Sequence, residues 1–231
     1  MTWATFGRRV ADISAHEVFD ANAARYDEWF ERHHIAYLSE LLALRAFVPC
    51  GGRGLEIGVG GARFAAPLGI ATGVDPAPAM LALAAARGVE AVRGYAEALP
   101  FAAHSFDHAL VVTTLCFVDS PLRMLTEARR VLRPGGRLVI GFIDRASPLG
   151  RAYLARSARS TFYRDAHFHS AQEVGVLLEA AGFTIEHWAQ TLTSGDPAVV
   201  EPVRPGHGEG SFVVVVASAT AFQTLIRPAS C

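Results

Sequence analysis

The stretch Leu55-Glu56-Ile57-Gly58-Val59-Gly60-Gly61-Ala62-Arg63 decides how this chain folds. A short apolar run stops at a cluster of glycines, and an alanine-rich helical stretch begins directly after it. That pattern is a strand handing over to a helix through a turn whose backbone a ligand can approach closely. Glycine suits such a turn because it adopts positive φ freely and leaves its ligand-facing side bare. A glycine cluster alone fits an ordinary strand-to-helix turn equally well, so the flanking chain has to decide. A dinucleotide-binding fingerprint started at Gly58 needs its third glycine at position 63, where Arg63 stands. The reading as an NAD-binding oxidoreductase therefore fails at one defined residue.

Outward from the loop, short apolar runs alternate with helical stretches, the pattern that builds a parallel sheet covered on both faces. Strands are expected near 54–58, 71–75, 89–93, 106–112, 136–143, 183–188 and 212–217, and helices over 62–69, 77–87 and 120–132. Ser170 followed by Glu173 is a capping-box signature for a further helix ending near Gly182. Upstream, Val18, Phe19, Ala23, Tyr26, Trp29 and Phe30 recur at three- and four-residue steps, so 14–47 reads as one or two amphipathic helices. The expected organisation is an N-terminal helical cap over 1–50, one domain over 51–218 and a C-terminal tail over 219–231. Within the domain, 145–169 is rich in arginine and aromatics, and 191–210 in proline and glycine. Both segments are expected to shape a pocket over the carboxyl edge of the sheet.

Composition narrows the function. A chain of 231 residues, 51% hydrophobic and 19% charged, is not a disordered one and suffices for one large domain. With 21 basic against 22 acidic residues the formal charge is −1, which lacks the electrostatic footprint of a nucleic-acid binder. Every one of those basic residues is arginine. The absence of lysine excludes pyridoxal enzymes, P-loop NTPases and protein kinases together. Cys50, Cys116 and Cys231 are odd in number and far apart, a poor basis for disulfides or a zinc site, so a reducing cytoplasm is expected. Asp12, His16 and Glu17 interrupt any secretion signal, and no apolar run approaches the ~18 residues of a membrane helix. A soluble protein without a membrane partner is expected.

Asp75 comes seventeen residues beyond Gly58, in Gly73-Val74-Asp75-Pro76 at the end of the second expected strand. Its carboxylate can accept two hydrogen bonds from a ribose diol; the alternative is an N-cap for 77–87. Thr113 and Thr114 fall at the carboxyl end of the strand over 106–112, the edge where open α/β sheets bind ligands.

Taken in order, these segments resemble the motifs of the class I S-adenosylmethionine-dependent methyltransferases. Glu56 with Gly58 and Gly60 is similar to the family's first motif, an acidic residue followed by GxGxG, with Ala62 in place of the last glycine and Gly61 beside it. The segment from Gly73 to Gly88 resembles the second motif, which implies that Asp75 and Pro76 meet the cofactor and that Met80 packs on its adenine. Arg93 to Phe101 is similar to the family's GDAEALPF segment, whose acidic residue contacts the adenine amino group. Tyr95 occupies that slot here, which leaves the contact to the Ala96 backbone or the Glu97 side chain, with a turn-capping Glu97 as the alternative. Ser105 to Cys116 resembles the fourth motif, implying that Thr113 and Thr114 line the cofactor. Phe19 to Asp27 resembles the FDxxAxxYD lead-in of UbiE-like small-molecule methyltransferases, which implies that Tyr26 reaches the cofactor's carboxylate end. The resemblance spans about 16–144. It implies an α/β, Rossmann-like, mostly parallel seven-stranded sheet with helices on both faces and an antiparallel last strand, S-adenosyl-L-methionine as cofactor, and transfer of its methyl group to a small-molecule acceptor. A non-catalytic cofactor-binding module is the other alternative.

Tyr153, Tyr163, His167 and His169 in the cap, and His207 with Glu209 in the later loop, are the acceptor-pocket candidates. His167 and His169 alternate and would face one way on an extended segment. No carboxylate or cysteine pattern accompanies them, so no metal is expected. The sequence assigns no catalytic base and no oligomeric state.

Overall fold

The computed structural model describes residues 14–219 except 158 and 165. The outer parts of the expected cap and tail, and Cys231, lie outside the described residues. Three helices come first: α1 (Ala15–Ala21), α2 (Ala23–Arg32) and α3 (His34–Arg45). The alternating part follows as β1 (Gly54–Ile57), α4 (Ala65–Leu68), β2 (Thr72–Asp75), α5 (Pro78–Ala86), β3 (Glu90–Arg93), β4 (Phe106–Val112), α6 (Pro121–Val131) and β5 (Leu132–Ile143). The described residues end with α7 (Pro148–Ser157), α8 (Ala171–Ala180), β6 (Phe183–Thr191), β7 (Arg204–Pro205) and β8 (Phe212–Ala219).

The strands form one sheet in the order β3-β2-β1-β4-β5-β8-β6-β7. β1 to β5 pair in parallel, whereas the last strand, β8, runs antiparallel to both β5 and β6. The sheet has eight strands rather than the expected seven, the extra one being the two-residue β7 on the outer edge beside β6. Arg204 and Pro205 carry no alternation to announce a strand, and proline is tolerated at an edge because its missing N–H would face outward. The helix expected over 62–69 shrinks to α4, because Ala62 at φ 59° and Gly69 at φ 75° bound it with left-handed turns. α7, which has no clear period in the sequence, is an added helix in the cap.

Both faces of the sheet are covered, which is why β8 reads Val213-Val214-Val215-Val216 without a polar break. Leu55, Ile57, Val111, Ile140 and Val215 pack against Met124 and Leu125 of α6 and Val174 and Leu178 of α8. On the other face Leu110, Val139, Val214 and Phe212 meet Leu44 of α3, Phe30 and Phe64. Each fully buried aliphatic side chain stabilises by about 1.5–3 kcal/mol, so α3 is held on the sheet as part of the core. α1 is left to reach across the carboxyl edge: Asp20 Oδ1 accepts the Ala79 N–H at the start of α5 at 2.7 Å. Among the described residues no helix is long and apolar enough to cross a membrane.

Candidate active site

At the carboxyl end of β1, Gly58 and Gly60 take φ of 74° and 49°. The N–H groups of Gly58 and Val59 donate to the Val74 carbonyl at 2.8 and 3.0 Å, fastening the loop to β2. Gly60 N–H donates to Asp75 Oδ2 and Ala77 N–H to Asp75 Oδ1, each at 2.9 Å. Two main-chain donors thus aim the carboxylate, and each oxygen keeps a lone pair for a ligand. Burial pushes the Asp75 carboxyl above its usual range, against the pull of those two N–H groups. The N-cap of α5 is Ala77, so Asp75 supports the turn before the helix rather than capping it. The two glycines differ in what they tolerate. A Cβ on Gly58 would lie 2.2 Å from Thr114 Oγ1, whereas one on Gly60 would meet nothing within 4 Å.

The open space beside Gly60 is a cavity of about 790 Å³ along the carboxyl edge of the sheet. Gly58, Gly60, Asp75, Pro76 and Met80 line it from β1, β2 and the start of α5, and Ala96, Glu97, Thr113 and Thr114 from the loops after β3 and β4. His16 and Phe19 of α1 and Tyr26 of α2 close it from the N-terminal side. Glu97 Oε1 also accepts the Asp119 N–H at 2.9 Å, which ties the loop after β3 to the one before α6. Thr113 has φ 50°, a conformation that a β-branched residue adopts only under constraint from its surroundings. Its N–H donates to the Gly141 carbonyl at 2.8 Å, holding it in place at the end of β4. Burial pushes the Tyr26 phenol up, while hydrogen bonding with the Tyr163 and Thr113 side chains pulls the other way.

Residues 55–140 match the family described as methyltransferase domain. The chain is 46% identical to a solved S-adenosylmethionine-dependent methyltransferase of Thermotoga maritima, described as a possible histamine N-methyltransferase, over 88% of this chain and 99% of that one, with a TM-score of 0.84. It is 44% identical to an uncharacterized protein of Methanocaldococcus jannaschii over 87% of this chain and 98% of that protein. It is 30% identical to the demethylmenaquinone methyltransferase of Mycobacterium sp. strain KMS, over 86% of this chain and 98% of that enzyme. This chain is a class I S-adenosylmethionine-dependent methyltransferase. Its fold agrees with the ordered motifs: β1 to β5 carry them in sequence along one edge.

Not every residue singled out in the sequence reaches the cavity of the methyltransferase. Glu56 is 1% exposed and lies beneath α4, where the Ala65 N–H approaches it and Oε2 is left without a partner. Burial raises its carboxyl far above the usual carboxylate range. Gly61 faces away from the cavity: Arg87 Nη1 donates to its carbonyl at 2.6 Å. Asp27 of α2 bridges Arg87 at 2.7 Å and Arg63 at 2.6 Å, so the arginine that breaks the dinucleotide fingerprint clamps α2 onto the glycine loop. Desolvation disfavours the charged Asp27, yet the hydrogen bonds from Arg63 and Arg87 hold its carboxyl below the usual range.

In the cap, His167 reaches the cavity wall, but His169 lies against a separate small void with Thr113, Cys116 and Phe168. The two imidazoles face different spaces because 166–170 is neither strand nor helix. His169 Nε2 is buried without a partner, and burial lowers its pKa. Tyr153 and Tyr163 stand behind Tyr26 with ring centroids 5.7 Å apart, off the cavity wall. His207 packs 5.0 Å from Trp188. Its loop does not arch over the cavity as expected, because Glu201 gathers the N–H groups of Thr193, Ser194 and Gly195 and folds the segment against β6 and α3. Sequence reading missed the Asp27–Arg63–Arg87 clamp and the buried Glu40 of α3. Glu40 was visible only as the one charged residue in the helical stretch Leu38 to Leu44.

Proposed function

We propose that this methyltransferase binds S-adenosyl-L-methionine in the 790 Å³ cavity and methylates a small-molecule acceptor admitted beneath the cap. The observation that carries the reading is Asp75, whose half-buried carboxylate is oriented by Gly60 and Ala77 and opens onto the cavity beside a bare glycine. The residues present fit the group. Asp75 accepts hydrogen bonds from the ribose diol, Met80 and Ala96 supply apolar surface for the adenine, and Glu97 offers a carboxylate to the adenine amino group in place of the side chain that Tyr95 lacks. Tyr26 and Thr113 border the end of the cavity next to the cap. When bound, the cofactor supplies a sulfonium methyl that is already electrophilic, so the protein's work is alignment and exclusion of water.

Support for a small acceptor comes from the covering of the cavity by α1, α2 and the cap, and from a formal charge of −1, which offers no purchase on a nucleic acid. The NAD alternative loses further ground, since Arg63 is committed to Asp27 and Glu31. Calorimetric titration with S-adenosylmethionine, S-adenosylhomocysteine and NADH tests the reading. The first two are expected to bind and to raise the unfolding midpoint, with saturation at ~100 times Kd stabilising by ~2.7 kcal/mol. Binding of NADH alone, or of none of the three, would overturn it.

A further inference from the structure

Tyr26 and Asp27 are consecutive on α2, and neighbours on a helix point about 100° apart. Tyr26 lines the cavity, whereas Asp27, Gly61, Arg63 and Arg87 all lie off its wall. Asp27 Oδ1 accepts Arg63 Nε at 2.7 Å, and its Oδ2 accepts Arg63 Nη2 at 2.6 Å and Arg87 Nη2 at 2.7 Å. Arg87 is the C-cap of α5, and through Nη1 it also donates to the Gly61 carbonyl at 2.6 Å. The group presses on the main chain itself. A Cβ on Gly61 would stand 3.0 Å from Arg87 Nη1 and 3.2 Å from Asp27 Oδ1.

The loop between β1 and α4 needs such a hold. Gly58, Gly60 and Ala62 take φ of 74°, 49° and 59°, and at Ala62 that conformation is strained. The carbonyl gripped by Arg87 follows directly on Gly60, whose N–H aims Asp75 Oδ2 at 2.9 Å. Exposed ion pairs contribute little, but the Asp27 and Arg63 side chains are each 18% exposed and that of Arg87 27%, and Arg63 meets the carboxylate with two nitrogens. Removing the carboxylate's charge would leave two guanidinium groups side by side behind the loop. α2 has a separate anchor in Phe30, which is buried with its ring 5.3 Å from Tyr37 and 5.9 Å from Phe64. The effect of the clamp therefore falls on the loop and on the register of Tyr26 against it, more than on whether the helix docks.

We propose that Asp27 is a positioning residue for the cofactor. Through Arg87 and Arg63 it locks the glycine loop and α2 into one unit, so that the Gly60 N–H aiming Asp75 and the Tyr26 ring keep one fixed relation around the cavity; this rests on the S-adenosylmethionine reading of that cavity. Asp27 touches no ligand itself and acts through the backbone at Gly60 and Gly61.

The test is calorimetric titration of the full chain with S-adenosylhomocysteine, alongside chemical unfolding of the ligand-free proteins. Asp27→Asn is expected to weaken the ligand about 10-fold, a difference of ~1.4 kcal/mol, with Asp27→Glu recovering part of the loss. Arg87→Met, which releases the Gly61 carbonyl, should weaken it to a similar degree, and the double variant should be no more than about twofold worse than the poorer single one. Combined with Asp75→Ala, Asp27→Asn should cost about threefold or less, because the group it positions is gone. A dissociation constant unchanged in Asp27→Asn while unfolding stability falls, as a merely structural clamp would give, overturns the proposal. Fully additive losses with Asp75→Ala also overturn it, and either result leaves the cofactor reading standing. Failure of S-adenosylhomocysteine to bind the wild type overturns both. Should Asp27→Asn not fold, Arg87→Met, which keeps the Asp27–Arg63 pair, decides alone.

Discussion

Around β1, β2 and β3 the site is made largely of main chain, whereas around β4, β5 and the cap it is made of side chains. In the first region the Gly58, Val59, Gly60 and Ala77 N–H groups fix the loop and aim Asp75, and all the partners lie between Gly58 and Ala77. In the second, Tyr26, Phe117, Tyr153 and Tyr163 come from four separate segments and are linked by ring contacts through Phe19. The first region lies within residues 55–140, the stretch that matches the methyltransferase family. In the second, buried polar groups cost stability, as at Glu40 and His169.

The sharpest break between the two regions should appear in the pH dependence of stability. Burial pushes the Glu40 carboxyl from 4.5 up to about 8. A folded pKa above the unfolded one means that the stability is whole below pH 4.5 and is lost as pH rises through 8. Chemical unfolding of the wild type should therefore show a decline on the order of 4 kcal/mol between about pH 5 and 9, to which Glu56 adds in the same direction. Glu40→Gln should flatten much of that slope, and a slope unchanged by the substitution would contradict the unpartnered burial of Glu40.

Gly60→Val tests the main-chain region. Its branched side chain would enter the cavity at a positive φ, so S-adenosylhomocysteine affinity should fall at least ~100-fold, a loss of ~3 kcal/mol, with secondary structure by circular dichroism intact. Native affinity would show that the ligand does not pass this glycine. Asp75→Ala should weaken the same ligand by about 2 kcal/mol by removing a charge-assisted contact, as read from its dissociation constant. An unchanged constant would leave Asp75 a purely structural role in the turn before α5.

Smaller effects sharpen the boundary. Ala62→Gly restores the glycine of the family motif at a position with φ 59°, and should raise unfolding stability by about 1 kcal/mol, since an L side chain is strained there. Destabilisation would mean that the methyl group's packing outweighs the backbone strain. His207→Ala, on the outer edge beside Trp188, should change cofactor affinity by less than ~0.5 kcal/mol. A larger change would restore the loop over 191–210 to the pocket.

The legibility of the sequence follows the same division. Gly58, Gly60 and Asp75 could be read because strand, turn and helix follow one another locally, and their spacing maps directly onto geometry. Gly61 and Glu56 sit within the same motif but turn away from the cavity. A turn of positive and negative φ sends successive residues to opposite sides, which composition does not reveal. Arg63 could be read only as an exclusion, because its partner Asp27 lies 36 residues away. His207 was placed by the proline- and glycine-rich character of its loop, while the direction of that loop depends on Glu201 finding Ser39, 162 residues upstream.

The order of apolar runs and glycines by itself determined the parallel sheet, the reach of the glycine loop and the carboxylate beside it, since local hydrogen bonding and the conformational freedom of glycine act over a few residues. Only the tertiary structure decided which side chains share the space beyond the cavity. Burial of Glu40 depends on α3 docking against the core, and hydrophobic packing of that kind carries no signature in the spacing of the residues it brings together.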